Sequence, residues 1–377
     1  MNILYITPSL DPNRGGVERA TWLISRYLEK HNNNVFFAYH TADYELIQES
    51  HKMRFSLEWS AEETNEAFIS FIKENCIDIL INQNTHTPNL MSTIIYIKKE
   101  KLCKIIYCVH QAPDYLKYTK EPILKRIKTW LFTIKNKKSY RIMRDKELYE
   151  NADKVVLLSK SFIDDYTRIN ELKNDNKIIA IPNPLSFPTN IKEEEIKEKE
   201  NKVLIIARLE EKQKNIKSAL RIWDIVNKSI QHNWKLTLAG HGEDEKMILD
   251  YANELQLQNF EFIGKTNDAQ KHFKQASIFM MTSHYEGFGM TLTEALQNAC
   301  IPIAYNTYNA VSDIIENNYN GFIIPPYNEK EYAQKIIGLI SDSNKRTKIQ
   351  HNALKSSSKF NISDIGTLWL QLIQKLA

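Results

Sequence analysis

Short runs of apolar residues recur along the first half of the chain, at Asn2 to Thr7, Val35 to Ala38, Ile77 to Asn82, Lys104 to His110, Lys154 to Ser159 and Ile178 to Ile181. Between them lie segments of helical period, and Val17, Ala20, Leu23, Ile24, Tyr27 and Leu28 mark one face of the first. Unbroken apolar runs predict strands buried on both faces, and their alternation with amphipathic helices predicts a parallel sheet covered on both sides. Pro182, Pro184 and Pro188 then break the pattern. The charged run Ile191 to Asn201 that follows has no apolar period and predicts an interdomain linker. The alternation restarts with runs at Val203 to Ala207, Leu236 to Ala239, Phe260 to Ile263, Ile278 to Met281, Ile301 to Ala304 and Phe322 to Ile324, so a second doubly wound sheet is expected. A final helix, Ile362 to Ala377, has an apolar face that includes Leu368, Leu370 and Leu372. The expected class is α/β with two domains, 1–184 and 185–355, and a last stretch, 356–377, that packs back on the first.

A length of 377 residues fits two domains at roughly 150 residues each. With 42% hydrophobic and 25% charged residues the chain can bury sizeable cores, and disorder is excluded as its theme. Cys76, Cys103, Cys108 and Cys300 are scattered, with no CxxC pair and no histidine at metal-ligand spacing. That speaks against a zinc site and a disulfide framework and fits a reducing cytosol. The first apolar run is too short for a signal-peptide core and meets Pro8, and no stretch approaches the roughly 20 apolar residues of a membrane span. The expected location is cytoplasmic, with any membrane association peripheral. No GxGxxG follows an apolar run, so hydride transfer lacks its usual fingerprint.

The most specific chemical signal is Ser283 to Leu296, SHYEGFGMTLTEAL. It follows an expected strand and opens a helix. Glu286 falls in the loop with Gly287 and Gly289, which let a backbone approach a ligand closely, and Glu294 falls about one turn into the helix. The amides of Phe288, Gly289, Met290 and Thr291 at the helix N-terminus suit a phosphate, while the two carboxylates can accept from sugar and ribose hydroxyls. Two glutamates beside a glycine turn are ordinary by themselves; their surroundings give them weight. Ala207 to Asn215, ARLEEKQKN, ends the first strand of the second half. There Arg208 offers a forked donor set, and Lys212 or Lys214 a point charge, for a diphosphate leaving group. Weaker matches are Gly15, Gly16, Val17 and Glu18 (GGVE), His110 in CVHQAP, Gly240 to Glu243 (GHGE), Phe262 to Lys265 (FIGK), and Asn320 with Gly321 (NGFIIPP). Alone, each is a plain turn or strand end.

With Ala299 to Ala304 (ACIPIA), these motifs resemble in their order the donor-binding signature of the family-4 retaining glycosyltransferases, of the group 1 type. The resemblance is dense from Asn201 to Pro326 and thin from Val35 to Glu100. It implies the glycosyltransferase B-type fold, two Rossmann-like domains facing across a cleft, with a nucleoside diphosphate sugar as donor and no metal. It also implies Glu286 and His110 at the donor sugar, Glu294 at the ribose, and Gly16 and Gly240 in glycine turns at the ligand. Lys265 would lie in the loop whose backbone meets the base, and Arg208 with Lys214 at the diphosphate, the lysine one residue further along than is usual. Where the family commonly has glycine and an acid after its proline-valine strand, this sequence reads YNTYNAVSDII, a departure that falls on Asp313.

The implied activity is transfer of a glycosyl group to a hydroxyl of a saccharide or lipid-linked saccharide, with anomeric retention, in cell-surface polysaccharide assembly. No DxD motif offers itself to a divalent ion, and the cationic side chains can replace one. Two other readings are a B-type-fold epimerase or hydrolase acting on a nucleotide sugar, and a non-catalytic nucleotide-sugar binding module. The joint presence of Arg208, Glu286 and Glu294 speaks against the last.

The net charge of +4 is small but unevenly placed. Lys117 to Arg144 holds ten Lys or Arg against Glu121, a local +9, so the rest of the chain is net acidic. That asymmetry points to an anionic partner for one face and not to general nucleic-acid binding. Within the window Ile123, Leu124, Ile127, Trp130, Leu131 and Ile134 share one helical face, with Lys125, Arg126, Lys128 and Lys135 outside it. Either the apolar face packs on the sheet beneath solvated cations, or it enters a membrane interface while the cations meet anionic headgroups, at about 1 kcal/mol each. Docking predicts co-sedimentation with anionic vesicles that weakens with salt and with charge reversal at Lys125, Arg126, Lys128 and Lys135. Indifference to anionic vesicles at low salt would leave the packed helix and a soluble acceptor.

Overall fold

The structure is a computed structural model and describes residues 1–41, 52–54, 62–83, 88–113 and 135–376. The described chain forms two compact units: one holds residues up to Ser186 together with Phe360–Ala377, and the other holds Phe187–Lys359. In the first, seven parallel strands run in the order β3-β2-β1-β4-β5-β6-β7. They are β1 (Asn2–Ser9), β2 (Asn34–Thr41), β3 (Lys52–Arg54), β4 (Ile79–Gln83), β5 (Lys104–Val109), β6 (Lys154–Leu157) and β7 (Ile178–Ala180). The apolar pattern did not announce β3, because Lys-Met-Arg pairs only along the sheet edge, with Phe37 to Tyr39 of β2. A charged edge strand is a common way to discourage further pairing.

Helix Gly16–Lys30 turns Ala20, Ile24 and Leu28 inward. Helix Ile362–Leu376 adds Ile365, Trp369, Leu372 and Ile373 to the same core, beside Ile3 and Tyr5. The buried stripe of that last helix therefore differs from the expected one. Leu370 is only partly buried and Leu368 is exposed, since the spacing 365, 369, 372, 373 points Leu368 away from the core. The two helices approach closely at Gly366, where an added Cβ would lie 2.2 Å from the Tyr27 ring. Tyr27 is fixed there by its hydroxyl, which bonds the Ser363 carbonyl at 3.3 Å.

Within the basic window, the stretch Ile123 to Ile134 lies outside the described residues. Helix Lys135–Asn151 holds the window's last five cations, Arg141 and Arg144 among them. Arg141 and Arg144 both turn onto Asp145, which is 1% exposed, at 3.4 and 2.6 Å. These two cations neutralise a buried acid and are not part of a solvated face. All four cysteines are free, and among the described residues no helix is long and apolar enough to cross a membrane.

The second unit has six parallel strands in the order β10-β9-β8-β11-β12-β13. They are β8 (Glu200–Ile206), β9 (Lys235–Ala239), β10 (Phe260–Gly264), β11 (Ala276–Met281), β12 (Ile301–Tyr305) and β13 (Phe322–Ile324). Val203, Leu236, Ile278 and Ile301 meet Trp223, Ile336 and Leu339 of the covering helices in one core. The charged run expected as a linker is part of this unit. Residues Glu193–Glu198 form a 3-10 helix, and Ile191 and Ile196 bury against Ala299. Two isoleucines five residues apart, and Lys199, whose Nζ donates to the carbonyls of Phe273, Lys274 and Ala276, anchor a segment that is otherwise largely exposed, so it lacks a helical period yet packs.

Gly366→Ala tests the helix contact in the first unit. Alanine is the better helix former by about 1 kcal/mol, but its methyl meets the Tyr27 ring. The expected result is a lower Tm; a higher one would mean that the ring moves aside freely.

Candidate functional site

In the second sheet the chain winds outward in both directions from β8 and β11, which are neighbours. Connections from such a pair leave to opposite faces, so ligands are received at their carboxyl ends. The loops that meet there are Ala207 to Asn215 after β8 and Thr282 to Gly289 after β11. They are joined through backbone and short polar side chains. The His284 amide donates to the Gln213 carbonyl at 2.8 Å. Asn215 Nδ2 donates to the Thr282 carbonyl at 3.1 Å, and Thr282 Oγ1 returns a bond to the Asn215 carbonyl at 2.9 Å.

This frame brings Lys214 and Glu286 together. Lys214 Nζ donates to Glu286 Oε1 at 2.7 Å, and Ser283 Oγ donates to the same oxygen at 2.6 Å. Glu286 is 8% exposed. Lys212 stands exposed on the short helix Glu211–Lys214. Arg208 also points to solvent, its side chain 66% exposed and 3.4 Å from Glu210. Of the expected cations, the structure places Lys214 at the carboxylate and leaves Arg208 outside the pair.

Three residues beyond Glu286, Gly289 enters helix Met290–Gln297 with φ +90°, and no side chain caps the helix. Helices Ala269–Gln275, Glu329–Ser341 and Ser343–Ser357 each have an Asp or Asn whose side chain accepts a first-turn amide. At Met290 and Thr291 the corresponding amides face no capping side chain, a cradle suited to an anion. Phe288 is buried behind them, Gly287 is partly exposed, and Glu294 is buried one turn along.

The glycine turns are explained by close approach. A Cβ at Gly240, where φ is +146°, would come within 1.9 Å of the Ala207 carbonyl oxygen, and one at Gly242 within 2.3 Å of the Leu209 carbonyl oxygen. The Leu209 amide donates to the His241 carbonyl at 2.9 Å, which seats the loop that carries Arg208. The Gly240 amide donates to the Gly264 carbonyl at 2.8 Å. Gly264 has φ +68° with open space where a side chain would stand, and Lys265 beyond it is exposed.

In the first sheet the neighbours from which the chain winds outward are β1 and β4. Gly16 opens helix Gly16–Lys30 beyond β1 and is exposed, and the Glu18 carboxylate turns back toward Gly15. Gln83 ends β4 and its side-chain oxygen accepts from His110 Nε2; His110 Nδ1 is buried without a partner. Burial lowers the His110 pKa to about 4, so the ring is neutral and Nδ1 is an acceptor.

Residues 186–356 match the family described as glycosyl transferases group 1. The second unit is a group 1 glycosyltransferase domain. Over 222 residues the chain is 28% identical to the poly(glycerol-phosphate) alpha-glucosyltransferase of Bacillus subtilis, covering 58% of this chain and 32% of that protein. Over 200 residues it is 28% identical to the GalNAc-alpha-(1->4)-GalNAc-alpha-(1->3)-diNAcBac-PP-undecaprenol alpha-1,4-N-acetyl-D-galactosaminyltransferase of Campylobacter jejuni, covering 53% of this chain and 55% of that protein. The chain thus spans about a third of the first relative and about half of the second. The crystal structure of Anabaena HepE in complex with UDP and glucose shares the fold, with a TM-score of 0.76 at 16% identity over 100% of both chains.

In this group 1 domain Ser283 and Tyr308 also belong to the site, and neither had a role assigned from sequence. Ser283 opens the glutamate motif but is an ordinary turn residue by type. Tyr308 lies in the stretch that departs from the family pattern, and its hydroxyl abuts Gly289.

The His110 state has a measurable consequence. The unfolded ring takes a proton below about pH 6.5 and the folded ring only near 4, so stability should fall as pH drops through that window. The loss is up to about 3 kcal/mol. A His110→Gln variant should show a flatter Tm profile than the parent between pH 6.5 and 4; parallel profiles would place the ring in contact with solvent.

Proposed function

We propose that the protein is a retaining glycosyltransferase that moves a hexosyl or N-acetylhexosaminyl group from a nucleoside diphosphate sugar to a hydroxyl of a saccharide or lipid-linked saccharide, in assembly of a cell-surface polysaccharide. The observation that supports this most is the Lys214–Glu286 pair beside the uncapped N-terminus of helix Met290–Gln297, inside a group 1 glycosyltransferase domain. A lysine, free amides and a carboxylate in one loop cluster suit a ligand that is anionic at one end and hydroxylated at the other.

Departure of the diphosphate is the barrier. Lys214 and the amides of Met290 and Thr291 stabilise the charge that develops on the leaving oxygen, and Arg208 swings in from solvent to join them. Glu286 accepts from hydroxyls of the donor sugar and fixes its orientation. Glu294 serves the ribose, and the Gly264 to Lys265 backbone the base. His110, neutral with Nδ1 free to accept, takes a substrate hydroxyl in the first unit. The acceptor hydroxyl attacks on the face that the diphosphate leaves, with no protein nucleophile, and the leaving phosphate oxygen takes its proton. The cationic groups fill the place of a divalent ion, so turnover should survive chelation. The site of action is the cytoplasm, and the basic window is the part of the chain for an anionic membrane surface.

A thermal-shift series with UDP, GDP, ADP and CMP should identify the base, because binding to the native state raises apparent stability. With the matching nucleotide sugar, Glu286→Gln should lower transfer about 10²- to 10³-fold, and the anomeric configuration of the product should be that of the donor. Wild-type turnover by Glu286→Gln would overturn the site, and free sugar as the sole product would favour the hydrolase reading.

A further inference from the structure

Gly289 admits the chain to helix Met290–Gln297 only because it has no side chain. A methyl group there would lie 2.4 Å from the hydroxyl oxygen of Tyr308, so the phenol end abuts the backbone of the glutamate loop. The ring is well seated. Tyr308 is 2% exposed, and its neighbour Thr307 donates Oγ1 to the Ser283 carbonyl at 2.7 Å. Ser283 is the residue whose hydroxyl donates to Glu286. The Tyr308 hydroxyl itself is buried with no hydrogen-bond partner. Burying an O–H without a partner is destabilising, and where it persists it calls for an explanation. Desolvation raises its pKa well above the ordinary 10, and the Glu286 charge raises it further. The phenol is therefore a neutral donor within the field of that carboxylate.

The second observation is how Glu286 is held. Lys214 and Ser283 both donate to Oε1. A donor diphosphate competes for Lys214, and a buried carboxylate that loses its cation requires another donor. We propose that Tyr308 is a positioning residue for Glu286: when the diphosphate draws Lys214 away, the Tyr308 hydroxyl donates to the Glu286 carboxylate and keeps it aimed at the sugar. This rests on the reading of Glu286 as the donor-sugar contact. It assigns a role to a residue of the YNTYNAVSDII departure and makes the empty and loaded sites differ by one exchanged hydrogen bond.

Tyr308→Phe keeps the ring and deletes the hydroxyl. In the empty protein the variant should melt at the parent temperature or above, because an unpartnered buried group is lost. With nucleotide sugar its kcat/KM should fall by at least about tenfold, as for loss of a hydrogen bond to a charged group. The same substitution made in a Glu286→Gln background should cost much less, since the charged acceptor is gone. Rising or constant Tm, falling kcat/KM and this non-additivity together support the proposal. Wild-type kcat/KM, a lowered Tm, or an equal loss in both backgrounds would overturn it. Glu286→Gln measured alone separates the two failures, since wild-type turnover there overturns the site reading itself and a loss there confines the failure to Tyr308.

Discussion

A parallel sheet wound outward from an adjacent pair of strands leaves a gap at the carboxyl ends of that pair, because the next connections depart to opposite faces. In the second unit the pair is β8 and β11, and everything polar at that edge is arranged by how the gap is closed. Backbone bonds between the loops, such as the His284 amide to the Gln213 carbonyl, hold it closed. The Asn215 and Thr282 bonds do the same from side chain to backbone. With those groups satisfied, Lys214 and Glu286 can be held at 2.7 Å while largely screened from water. Removing one partner from such a pair typically costs about 3–5 kcal/mol, so the loops and the charges depend on one another.

The first unit has the same topological gap, between β1 and β4, with the Glu18 carboxylate turned toward Gly15 on the β1 side. Gln83 and a neutral His110 stand there. The Lys214–Glu286 pair suits a phosphate at one edge, and the Gln83–His110 pair suits hydroxyls at the other. The difference follows from which residues end the strands, since the two sheets share their winding.

Sequence pattern revealed most of the strands because a buried parallel strand must be continuously apolar, and runs such as Ile278 to Met281 have no other use. The glycine loops were legible for a related reason. Gly240 and Gly242 stand where any side chain would strike the Ala207 to Leu209 backbone, and only glycine leaves that mark. Features resting on few residues were not legible. β3 is three residues at an edge, and Ile191, Ile196 and Lys199 anchor a charged segment. Leu368 was misplaced because a helix rich in leucine permits more than one apolar face. Ser283 and Tyr308 carry common side chains whose meaning lies in what they touch, and contact is not written in spacing.

The return of the chain at Phe360 bears on how the protein is made. The core of the first unit includes Ile365, Trp369, Leu372 and Ile373 beside Ile3, Tyr5, Ile24 and Leu28. Domains emerging from the ribosome generally fold in order of synthesis. Here the second unit has all of its strands before the first has its last helix, so during translation the earlier half waits without the Ile365, Trp369, Leu372 and Ile373 part of its core. Translation that stops short of Phe360 would release a chain whose later half can fold and whose earlier half is left as prey for chaperones and proteases.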